Sequence, residues 1–185
     1  MTADQKERLA KNKKEALARA QILASQWHVK SKQQRLVLAE QQAFGVLANI
    51  DIGNRYIIDL ALAMLYLGEG FKRNLETGIG NTDPLIIKFF LSALKRIYNL
   101  DLNKIRCELH LRIDQDPILM KKYWAEELNL PIENFKYVYF DKRTANSKTI
   151  NGYKGVCMLR CANVAIQRKL INISREFCKR VIERL

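Results

Sequence analysis

Thirteen consecutive residues, Tyr56 to Gly68, read as one apolar run, and that run stops on an acid. The stretch LAMLYLGEG, Leu62 to Gly70, holds Glu69 between two glycines. A helix apolar almost all round must be buried on all sides, inside a core or at an interface between copies. Glycines beside the acid let the backbone pack closely and turn sharply after it. The pattern predicts one carboxylate delivered to a defined point at the end of a buried helix.

With 185 residues the chain is long enough to bury a proper core as a single domain, with room for an appendage. Its hydrophobic and charged fractions, 48% and 28%, are those of an ordinary globular protein. The net charge of +13 and the pI near 9.7 are not ordinary, and they point to a polyanionic partner. Lys and Arg outnumber Asp and Glu by 9 to 4 over residues 1–50 and by 12 to 3 over residues 136–185. Residues 51–135 are close to neutral, 11 against 12, so the basic charge lies in the flanks. No run approaches the ~18 apolar residues of a membrane span, and no signal-peptide pattern opens the chain. Cys107, Cys157, Cys161 and Cys178 form no CxxC pair, which favours reduced, buried thiols in a cytoplasmic protein over a zinc site.

The periodicities predict helices over 3–27 and 32–49, either packed on the body or forming an arm. The apolar helix follows over 54–68, then short strands at 71–73 and 75–80. Thr82 or Asp83 caps a helix that starts at Pro84 and runs to about Asn99, with Ile86, Phe89, Phe90, Leu94 and Ile97 as its core face. Residues 104–113 alternate most clearly: Ile105, Cys107, Leu109, Leu111 and Ile113 against Arg106, Glu108, His110 and Arg112. A helix over 117–128, a strand over 135–140, a basic loop over 141–154, a strand over 153–161 and a long helix over 164–184 complete the order. This is an α+β class with an antiparallel or mixed sheet and helices on one face. The division expected is a basic helical arm over 1–50 and a folded domain over 51–185.

The sheet face away from the helices would then present Arg106, His110, Arg112, Lys136, Lys154 and Arg160, extended by Lys142, Arg143 and Lys148 of the basic loop. Cations on an exposed β-surface reach base edges and phosphates of double-stranded DNA. No aromatic strand pattern of the kind that stacks RNA bases is evident.

LAMLYLGEG resembles the LAGLIDADG signature of homing endonucleases, matching at Leu62, Ala63, Leu65 and Gly70, with Glu69 where that family has its metal-binding aspartate. The order of elements from about Asn54 to Leu185 is similar to the family's αββαββα unit with its saddle-shaped sheet, one helix being inserted. LYLGEGFK followed by GNTDP also resembles a bacterial subgroup in which such a domain follows a helix-turn-helix, of which residues 1–50 show only a connecting helix.

The resemblance implies two motif helices packed side by side at a two-fold axis, here by homodimerisation. Ala61, Met64, Leu65 and Gly68 would form that interface. Glu69, with the adjoining Gly68, would contribute to a magnesium site for phosphodiester hydrolysis, and Lys72, Lys148 and Lys154 would be its candidate lysines. Met64 departs from the family's small residue there. Two readings stand beside each other: a cytoplasmic, metal-dependent DNA endonuclease, nucleoid-associated in a bacterium, or a DNA-binding regulator of the same fold without cleavage. A third is an interaction protein whose basic flanks merely solubilise it.

Overall fold

The N-terminal segment contains no proline, and no glycine before Gly45, so nothing stops a helix once it has started. In the computed structural model, which describes residues 2–185, it forms one helix, α1 (Ala3–Leu47, 45 residues), where two were expected. The sequence between the expected pair, His28 to Ser31, carries no breaker. Leu17, Leu23, Trp27, Leu36 and Phe44 are all exposed on it. The chain divides into Met1–Ile52 and Gly53–Leu185.

The second unit starts with α2 (Arg55–Glu69), whose N-cap Asn54 accepts a hydrogen bond from the Tyr56 backbone N–H. There follow β1 (Thr77–Asn81), α3 (Pro84–Tyr98), β2 (Ile105–Arg112), α4 (Pro117–Leu128), β3 (Phe135–Asp141), β4 (Val156–Cys161) and α5 (Val164–Ile182). Asp83, Asp116 and Asn163 cap α3, α4 and α5 through their side chains, the first two just ahead of a proline. The strands form one mixed sheet in the order β1-β4-β2-β3; β4 is antiparallel to both its neighbours, and β3 runs parallel to β2. The α4 crossover makes that parallel pair possible.

One sheet face is the core. Ile105, Cys107, Leu109 and Leu111 of β2 and Cys157, Leu159 and Cys161 of β4 are buried there with Leu62, Tyr66, Phe90, Leu94, Trp124 and Leu170 of the helices. The molecule is thus α+β with helices on one sheet face. At about 0.8 kcal/mol per buried methylene, this apolar layer is the main source of stability for the unit. Among the described residues, no helix is long and apolar enough to cross a membrane.

Several expectations need correction. Phe71–Arg73 is not a strand: Gly70 makes a single bridge to Ile79 and the Phe71 N–H donates to the Gly78 carbonyl, after which the chain turns. A single strand therefore follows α2, not two. The core stripe of α3 is Ile87, Phe90, Leu91 and Leu94, because Phe89 is turned outward at 37% exposure. Nor is α2 buried all round. Leu62, Ala63 and Tyr66 are, but Ile57, Ala61, Met64 and Gly68 lie exposed along one side. The run also contains a charge that the apolar reading passed over, Asp59. It is buried and accepts hydrogen bonds from Tyr98 (2.8 Å) and Lys169 (2.7 Å), so it ties α2 to α3 and α5.

Candidate nucleic-acid interface

The two glycines that flank Glu69 meet different surroundings. A Cβ at Gly70 would lie 2.4 Å from the Tyr66 carbonyl oxygen and 2.7 Å from the Tyr66 ring, so the turn after α2 requires glycine. A Cβ at Gly68 would meet nothing within 4 Å. Glycine within a helix costs about 1 kcal/mol relative to alanine, and nothing in this fold uses its smallness. Glu69 is exposed, and its carboxylate makes no hydrogen bond or ion pair with the described residues. Lys72 reaches back to the Gly68 carbonyl at 3.5 Å.

The segment after Glu69 is held from beneath. Gln167 of α5 is buried, and its side-chain amide donates to the carbonyls of Phe71 (2.6 Å), Asn74 (2.8 Å) and Glu76 (3.3 Å). Tyr66 donates its hydroxyl to the Phe71 carbonyl as well, and burial pushes the Tyr66 phenol above its ordinary value. Phe71 is thereby laid across Gly78 and Gly80 on the face of the sheet away from the helices. A Cβ at Gly78 would lie 3.0 Å from its ring, and one at Gly80 would press on Met158 at 3.1 Å.

That outer face divides in two. On the β1–β4 side, Arg106 and Arg160 occupy directly opposed positions in neighbouring strands, an arrangement that like charges disfavour. Two carboxylates resolve it. Glu76 lies 3.0 Å from Arg106 and 2.6 Å from Arg160, and Glu108 lies 3.4 Å and 3.3 Å from the same pair. Phe71 covers Arg160 with its ring, 4.6 Å from the guanidinium carbon. Glu108 and Arg160 side chains keep only 11% and 14% of their exposure. The four charges cancel.

On the β3 side, alternation turns Tyr137 and Tyr139 outward, 50% and 49% exposed. Their ring centroids are 6.4 Å apart with the planes inclined by 29°, and His110, directly across from Tyr139 on β2, packs against it at 5.1 Å. Beside them opens a cavity of about 430 Å³ lined by His110, Arg112, Tyr139, Asp141, Arg143 and Tyr153 among others. Arg112 does not project freely. Its Nη2 donates to the Ser147 carbonyl and hydroxyl, and it braces the basic loop. Arg143 is clamped by Asp141 through two 2.9 Å hydrogen bonds, and these, with the Arg143 N–H, hold the Asp141 carboxyl below the usual carboxylate range. Asp114 is lowered too, by the Thr149 hydroxyl and N–H.

The expected cations are therefore dispersed. Lys136, Lys142 and Lys148 are exposed and form no ion pair with described residues. Lys154 precedes β4, which begins at Val156 and not at Tyr153, and turns to the Tyr123 ring of α4 at 5.3 Å. Sequence reasoning missed Glu76, Gln167, Tyr137 and Tyr139. Only the tyrosines carried a local signal, the alternation in FKYVYF over Phe135–Phe140, which sets two aromatic rings side by side on a strand where no stacking pattern was expected.

Among the described residues, no three His, Cys, Asp or Glu side chains converge as a metal-binding group. Glu69 with a neighbouring carbonyl does not by itself satisfy a magnesium ion, which wants near-octahedral oxygen ligation. The buried thiols are free; burial pushes Cys161 up to about 11, and Cys157 is raised by its hydrogen bond with Cys107 and by burial. Compared with family models, with curated proteins and with solved structures, the chain matches none.

Proposed function

We propose that the chain is a double-stranded-DNA-binding protein that works as a homodimer of the LAGLIDADG-like type. The observation that carries the reading is the sheet face left bare by the helices of its own unit in a chain of net charge +13, next to a basic loop braced by Arg112. Lys142 and Lys148 of that loop, Lys136 of β3 and Lys72 beyond α2 are the phosphate contacts. Arg106 and Arg160 are spent on Glu76 and Glu108 and contribute little net charge.

The exposed side of α2 is the dimer surface. Leu65, expected on this surface, packs against the core instead, and Ile57 takes its place: Ile57, Ala61, Met64 and Gly68 recur at helical spacing and would let a second α2 approach closely, closest at Gly68. A two-fold axis there would bring two Glu69 carboxylates towards each other at the β1 edge. That uncommitted acid favours a second reading, metal-dependent DNA cleavage, for which a single protomer is insufficient.

The test is retention of duplex DNA at increasing salt, with sedimentation to fix the oligomeric state, followed by incubation of a randomised duplex library with magnesium and then manganese. The expected result is a dimer whose affinity falls with salt by about 0.9 power per phosphate contact. Salt-independent retention, or none, would overturn the reading. Cleavage by the wild type that Glu69→Gln abolishes would establish the nuclease. Retention without cleavage leaves a binding protein.

A further inference from the structure

The β3 side of the outer face has no use in the fold as described. Tyr137 and Tyr139 are half-exposed side by side, and their hydroxyls make no hydrogen bond with described residues. Large aromatic surface left open on a sheet is costly, and the other half of the same face is closed by paired charges and by Phe71. The open half also borders a cavity whose size suits a nucleotide-sized ligand.

We infer that this half is a stacking site for an unpaired base of single-stranded DNA, with Tyr139 as its floor and Tyr137 as the next step. The inference rests on the DNA reading above and deepens it. A base within a duplex has both faces covered by its neighbours, so only an unpaired base can lay its ring on tyrosine. His110 packs against Tyr139 from the neighbouring strand and limits its rotation. The charge fits as well. Lys142 is exposed directly after β3, and Arg143 keeps its Nη1 free after pairing with Asp141 through Nε and Nη2. Both stand at the end of the strand that carries the tyrosines, where the sugar–phosphate chain of a stacked nucleotide would run. The paired Arg106–Glu76–Arg160–Glu108 group has no net charge, and the one ring beside it, Phe71, already lies against Arg160, so the strand is expected to follow β3 and not the sheet centre.

The experiment compares a fluorescein-labelled oligothymidylate with a labelled duplex by anisotropy, on wild type, Tyr139→Ala, Tyr139→Phe and the paired change Tyr137→Ala with Tyr139→Ala. Thermal melting of each variant verifies its fold. Tyr139→Ala should weaken oligothymidylate binding by about 5- to 150-fold, the loss of one stacked base, and leave duplex binding nearly unchanged. Tyr139→Phe keeps the ring and should bind as the wild type does. Ultraviolet cross-linking of an oligonucleotide containing 5-iododeoxyuridine should map to Tyr137 or Tyr139. If duplex is retained but Tyr139→Ala leaves oligothymidylate affinity unchanged, the stacking site is overturned and the DNA reading stands. A changed oligomeric state with unaltered oligothymidylate affinity overturns it also, in favour of contact between copies. Retention of neither oligonucleotide by the wild type overturns both.

Discussion

On the β1–β4 side of the outer face, two arginines stand opposite each other and two glutamates bridge them; on the β3 side, two tyrosines stand open beside a cavity. Both sides follow from the same period-two alternation, so local pattern cannot account for the difference. What separates them is what arrives from elsewhere in the chain. Glu76 and Phe71 come over the β1 side from the turn after α2, held by Gln167 of α5. Among the described residues of this unit nothing comparable covers β3, an edge strand with only β2 beside it. A basic residue on a strand is therefore a poor guide to free charge, and the residues able to meet a ligand are those left without a partner.

The largest expected break is in the closed half. Glu108→Ala would leave opposed arginines sharing Glu76 alone, at a cost of about 3 kcal/mol in urea unfolding. Tyr137→Ala in the open half should cost under about 0.5 kcal/mol in the same assay, as surface substitutions do. Equal costs would erase the distinction between the halves.

Gln167→Ala comes next. It strips the Asn74 and Glu76 carbonyls of their donor, leaves the Phe71 carbonyl to Tyr66 alone, and should cost about 2 kcal/mol. Hydrogen exchange should rise over residues 71–76 and stay unaltered over β3; uniform acceleration would show that Gln167 does not act on that segment alone.

The two glycines flanking Glu69 sharpen the comparison at the sheet edge. Gly70→Ala forces a Cβ onto Tyr66 and should destabilise by about 1–3 kcal/mol. Gly68→Ala should stabilise the isolated protomer by about 1 kcal/mol and weaken the dimer, measured by unfolding and by sedimentation over a range of concentration. A Gly68→Ala protein that dimerises as tightly as wild type would remove the argument for close helix approach.

The smallest effect concerns acid. Asp141 and Asp114 both titrate below the ordinary aspartate value in the folded protein, so their contribution is complete above about pH 4. It is lost as pH falls further through their lowered values. Proteolysis within residues 141–154 should be constant between about pH 5 and 7 and rise only below about 4, once the clamps on Arg143 and Thr149 are protonated.

Much of the fold could be read locally. Asp83-Pro84 and Asp116-Pro117 announce helix starts because the side chain satisfies the first N–H groups and proline needs none, and the alternation in β2 announces its buried face. Gly70 was legible as a place of close approach. The paired state of Arg106 and Arg160 was not, because Glu76 is separated from Arg160 by 84 residues. Nor was the exposed side of α2, since hydrophobicity marks a face as buriable without saying by what.

By itself, then, the sequence determined most of the helices and strands and the inner face of the sheet, properties of neighbours within a few residues, together with the basic balance of the chain. Tertiary structure alone decided which charges cancel, that Gln167 holds the turn after Glu69, and that Tyr137 and Tyr139 remain uncovered. Each of these depends on distances between residues far apart in the chain, and charge and stacking act through distance in space.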